Sequence, residues 1–127
     1  MSIQTQSNQT PVPDSRVWRL ERTADKGLVA TGPAKSLQTS ETLLFAFDFS
    51  HDTVGGSVVS SISSVAVEGG TTQVTFDADA QGIDRHLVKV EITGATATTS
   101  PIGIRCRVVY SDGSTAEGDG RLSVVAA

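Results

Sequence analysis

Glu41-Thr42-Leu43-Leu44-Phe45-Ala46-Phe47-Asp48-Phe49-Ser50 decides the fold of this 127-residue chain. Leu43, Phe45, Phe47 and Phe49 fall two residues apart, with Leu44, Ala46 and Asp48 between them. Successive strand side chains point to opposite faces, so four large apolar groups at period two predict a strand with one face against a core. Composition agrees: the chain has 30 Ser and Thr and 15 Val. The branched Cβ of Val and Thr packs well on a pleated surface and loses rotamer freedom in a helix. No segment of ten residues repeats apolar groups at helical spacing.

Outward from that stretch, punctuation divides the chain into short strands. Val17 to Arg22 is expected as a strand with Trp18 and Leu20 on one side. Residues 23–40 alternate turn signals (Asp25-Lys26-Gly27, Gly32-Pro33) with a brief apolar stretch, Gly27 to Thr31. After Gly55-Gly56, the serine-rich run Ser57 to Val67 predicts a strand with a kink or bulge near Ser60 to Ser64. Glu68-Gly69-Gly70 breaks the pattern, and Thr72 to Phe76 follows as a short strand. Between His86 and Thr93, Val88, Val90 and Ile92 are expected inward, with Leu87, Lys89 and Glu91 outward. Ile102, Ile104, Cys106, Val108 and Tyr110 share one face of a last long strand. Asp112-Gly113 supplies the tight turn of its hairpin. Beyond the small-residue run Thr115 to Gly120, Leu122 and Val124 point inward on a closing strand. The expected fold is all-β, an immunoglobulin-like antiparallel β-sandwich over residues 16–127, although the Cys…Trp…Cys spacing of antibody domains is absent. Residues 1–15, polar and carrying Pro11 and Pro13, are expected as an extended arm that is solvated alone or ordered by a neighbouring subunit.

Charge and composition narrow the function. A net charge of −4 with dispersed Lys and Arg argues against nucleic acid as a partner. No apolar run approaches the roughly 20 residues that span a bilayer. The opening segment lacks the basic and apolar regions of an export leader, and the single Cys106 forms no intrachain disulfide, so synthesis in a reducing cytoplasm is expected.

Four groups invite a chemical reading. Asp77-Ala78-Asp79-Ala80-Gln81-Gly82 imitates the first six places of a calcium loop. Its ninth place is Arg85 and its twelfth Val88, where a bidentate glutamate belongs, so a solvated loop between strands is expected. Asp48-Phe49-Ser50-His51-Asp52 gathers hydrolase-type side chains, yet neighbours on a strand end point to alternate faces and do not assemble a triad. His51 and His86 have no paired cysteine for zinc, and Cys106 is expected in the core. Arg105 and Arg107, with Arg121 across the hairpin, form either a basic stripe facing an acidic partner or ordinary cross-strand pairs with Glu91 or Glu117. No metal or cofactor is expected, and no catalytic role.

The order of the pieces carries a resemblance. Lys35 to Glu41 leads into Leu43 to Ser50, followed by Gly55-Gly56 and the run from Ser57 to Gly70. Then come Val88 to Ala97, Arg107 to Thr115 and the terminal Leu122-Ser123-Val124. This succession resembles small proteins of tailed bacteriophages and prophages described as fibre-tail adaptor or head-associated accessory proteins. It departs from their pattern at Thr93-Gly94-Ala95, where a Gly-Gly pair is usual, and at Ser114, where arginine often follows Asp-Gly. The resemblance implies a non-enzymatic virion structural protein, a capsid decoration or head-tail or fibre adaptor that is a homo-oligomer or present in multiple copies in the particle. Its implied partners are the major capsid, connector or tail and fibre proteins. Gln4, Gln9, Pro11, Pro13, Arg105 and Arg107 are the residues expected to meet them. The alternative is a carbohydrate- or cell-surface-binding module, which needs an exposed aromatic platform built from Trp18, Phe76 and Tyr110.

Overall fold

The computed structural model describes residues 11–52, 57–68 and 73–127, with backbone alone at 77–81. Nine strands are formed: β1 (Val17–Thr23), β2 (Gly27–Ala30), β3 (Lys35–Gln38), β4 (Thr42–Asp48), β5 (Val59–Val67), β6 (Val74–Asp84), β7 (Leu87–Gly94), β8 (Ile102–Tyr110) and β9 (Thr115–Val125). The described residues contain no α-helix, only a 3₁₀ turn at Asp14–Arg16.

The strands form two leaves that share β1. Val17 to Arg19 pair with β4 in the leaf β1-β4-β7-β6, while Leu20 to Thr23 pair with β2 in the leaf β1-β2-β9-β8-β5. Beyond β2, β3 takes over the same edge of β9, from Leu122 to Val125. The leaves nearly close into a barrel. On one side the Val59 amide donates to the Arg85 carbonyl at 2.9 Å; on the other, Thr39 bridges to Gly94. The expectation of a wholly antiparallel sandwich is corrected, because β1/β4, β2/β9 and β3/β9 run parallel. The cause is topological: β1, β2 and β3 lie beside strands reached by crossing between leaves, where no hairpin imposes an antiparallel sense.

The decisive stretch behaves as its period requires. Phe45, Phe47 and Phe49 are wholly buried and Leu43 is packed at the edge of the core. Burying each ring contributes about 1.5–3 kcal/mol relative to exposure. Trp18 lies against two of them, its centroid 5.1 Å from Phe45 and 4.7 Å from Phe47. β7 keeps its expected parity, with Val88, Val90 and Ile92 inward, but Lys89 is buried rather than exposed. Its sheet neighbours are the small residues Ala46 and Gly82, so the long stem lies in the trough between them. Its ammonium stands 3.7 Å from Asp84.

Three further expectations are revised. Residues 23–40 hold two real strands, β2 and β3, each only four residues long. The expected loop at 77–84 is the last eight residues of an eleven-residue strand, although pairing with β7 slips between Phe76 and Gln81. Thr115 to Gly120 is strand rather than connector. The irregularity expected near Ser60 to Ser64 is present as two register shifts in β5.

Candidate functional site

The outer face of the leaf containing β8 and β9 is where charged side chains converge. Antiparallel register sets Gly103 beside Arg121, Arg105 beside Asp119 and Arg107 beside Glu117. Arg105 Nε lies 2.8 Å from Glu117 Oε1 and 3.2 Å from Asp119 Oδ1, and its Nη2 is 3.5 Å from Glu68 at the end of β5. Arg107 Nε donates to Glu117 Oε2 at 2.7 Å. The hydrogen bond to Asp119 raises the Arg105 pKa. Asp119 itself moves up from its ordinary value, because its burial between strands outweighs the attraction of Arg105. Two guanidiniums thus face three carboxylates. The expected basic stripe is neutralised by cross-strand pairing with Glu117, while Glu91 stands opposite Leu44 in the other leaf.

Beside this network is an open groove of about 500 Å³, lined by Lys26, Glu68, Gly103, Arg105, Asp119 and Arg121 among others. Local sequence explains its position. Gly103 presents no side chain, so Glu68 lies across β8; a Cβ there would stand 2.6 Å from Glu68 Oε2. On the opposite edge of β9, the ladder with β2 ends at Asp119 and that with β3 begins at Leu122. Trp18 fills the interruption from beneath, with its Nε1 donating to the Arg121 carbonyl at 3.1 Å. Among the described residues, Lys26 and Arg121 have no carboxylate within 4.0 Å. The groove can bind charged and hydrogen-bonding groups; its lining offers no nucleophile beside a base.

No protein-family model matches the chain, and no curated protein matches it.

The remaining candidates are placed apart from the groove. In the Asp48–Asp52 stretch, each group has a separate contact. Asp48 Oδ1 accepts from the Ser50 amide at 2.9 Å, His51 Nδ1 lies 3.8 Å from Glu21, and Asp52 accepts from Arg22 and from the Tyr110 hydroxyl. His86 Nε2 is 3.0 Å from the Ser57 carbonyl. Cys106 is fully buried and its thiol is pushed up to about 12 by desolvation, which keeps it protonated and unreactive at neutral pH. Trp18 and Tyr110 are buried and Phe76 is half-buried, so these rings make no exposed platform. Of the arm residues, Pro11 and Pro13 are exposed on extended chain; Gln4 and Gln9 lie outside the described residues, as do Gly55-Gly56 and Gly69-Gly70. Sequence reasoning missed Lys26, Glu68 and Gly103 as parts of one site. They come from a turn, a strand end and a glycine far apart in the chain.

Proposed function

We propose that the chain is a non-enzymatic docking module, immunoglobulin-like in architecture, that serves in a tailed-phage virion as a capsid decoration or head-tail or fibre adaptor. Two packed leaves, with the chain crossing between them at β3–β4, β4–β5, β5–β6 and β7–β8, suit an immunoglobulin-like sandwich with added parallel edges. The family resemblance from Lys35 to Val124 supplies the virion context. One observation carries the docking reading: five of the six aromatic rings point inward, while the outer face offers a charged groove with two cations uncompensated by any described carboxylate. Such a surface can hold a partner without transforming it. The test is the protein content of particles purified on a density gradient from the source strain. Recovery of the chain at a fixed copy number per major capsid protein is expected. Its confinement to the soluble fraction would overturn the proposal.

A further inference from the structure

We propose that the groove between β2, β8 and β9 receives an acidic, extended segment of a partner protein, whose carboxylates are held by Lys26 and Arg121. The inference rests on reading the chain as a docking module and names what that module grips. Arg105 is already enclosed by Glu68, Glu117 and Asp119, so a partner gains little from it. Lys26 and Arg121 line the same groove and meet no described carboxylate. On a chain of net charge −4, they reverse the sign locally. An acidic partner is therefore repelled by much of the surface and drawn to this place, which sets its register.

The shape favours a peptide over a compact anion. A volume of about 500 Å³ holds a few side chains rather than a folded face. Glu68 and Asp119 on the lining repel a phosphate that settles deep in the groove, yet can accept from the backbone N–H groups of an extended segment. The interruption of the β9 ladder is only two residues long and its Arg121 carbonyl is taken by Trp18, so the segment is held through its side chains over the groove rather than by pairing with β9. Arg121 supplies the planar fork that matches a carboxylate, and Lys26 a second, flexible cation.

The test is an NMR titration of the full, isotope-labelled chain with an eight-residue polyglutamate peptide, with octalysine and with inorganic phosphate. Saturating shifts confined to the amides of Lys26, Gly103, Gly120 and Arg121 are expected with polyglutamate. The double variant Lys26→Glu, Arg121→Glu should weaken binding at least tenfold while its spectrum remains that of a folded chain, and Arg85→Glu, on the exposed β6–β7 turn outside the groove, should change it less than twofold. Equal loss in Arg85→Glu would overturn the proposal, as would shifts spread over the surface, octalysine in the groove, or phosphate binding as tightly as the peptide. Particle incorporation separates this inference from the one beneath it. Undiminished incorporation of the double variant would sink the groove alone, whereas polyglutamate binding by a chain absent from particles would sink the virion reading alone.

Discussion

Asp52 ties together three distant parts of the chain. Arg22 donates to it through Nε at 2.7 Å and Nη2 at 2.9 Å, and the Tyr110 hydroxyl donates at 2.7 Å. The Arg22 bond, with help from Tyr110, holds the carboxyl below its ordinary value of 3.8; burial first, and then Asp52, pushes the Tyr110 hydroxyl upward. A carboxyl depressed in the folded state adds stability that is complete above its unfolded pKa and disappears as pH falls through the folded one. Asp119 has the opposite sign: its raised pKa makes folding less favourable as pH rises through the interval just above 3.8. At pH 7, Asp52→Asn should therefore cost about 1.5–3 kcal/mol, the range for hydrogen bonds to a charged group. Its stability should also decline less on acidification from about pH 5 to 2 than that of the parent chain. Asp119→Asn should steepen that decline. Urea midpoints followed by the fluorescence of the single Trp18 measure both, and parallel curves for Asp52→Asn and the parent would refute the assignment.

At the scale of elements, β4 was legible and β9 was not, for one physical reason. Period-two patterning marks a strand when its inward residues are large, as Phe45 and Phe47 are. In β9 the inward residues of the first half are Ala116, Gly118 and Gly120, the two glycines lying against Leu20, Phe49 and Trp18, so half the strand reads as a linker. The small residues are a consequence of packing: a Cβ on Gly120 would lie 2.5–2.8 Å from the Trp18 ring, and one on Gly118 would lie 2.5 Å from Leu20. β2 and β3 escaped because each buries a single large side chain, Leu28 or Leu37, too few to establish a period. In the candidate site, Arg105, Arg107 and their pairing with Glu117 were legible by parity, but the further enclosure of Arg105 by Glu68 and Asp119 was not, because only sheet register brings those two close. The packing argument gives a direct check. Gly120→Ala should cost about 1–3 kcal/mol, as overpacking in a filled core does. The Trp18 emission should shift with it, since the ring must move off β9 and strain its bond to the Arg121 carbonyl. A midpoint within 0.5 kcal/mol of the parent, a margin typical of surface changes, would mean that the ring yields without resistance.

For the whole molecule, β9 holds far more of the described packing than the described residues before β1. β9 pairs with β8 over Thr115 to Leu122, with β2 at Gly118 and Asp119, and with β3 from Leu122 onward. Leu122 and Val124 are fully buried, and the Val124 carbonyl also accepts from the Thr98 amide at 2.8 Å. Ending the chain at Arg121 strips two core side chains and frees β3 from its ladder. Each missing aliphatic side chain costs about 2–5 kcal/mol, so the loss is comparable to the 5–15 kcal/mol that holds an ordinary domain folded. Before β1, among the described residues, Arg16 is the first tied firmly to the sandwich, its Nε donating to the Leu44 carbonyl at 2.9 Å, while Pro11 and Pro13 are exposed. A chain beginning at Asp14 should therefore keep the dispersed amide spectrum and unfolding midpoint of the parent, while one ending at Arg121 should lose both. If the segment before Asp14 is a docking arm, the shortened chain should also enter particles less efficiently despite its intact fold. Unchanged incorporation would leave docking to the sandwich surface alone. A collapsed spectrum in the chain beginning at Asp14 would instead make that segment part of the folded core.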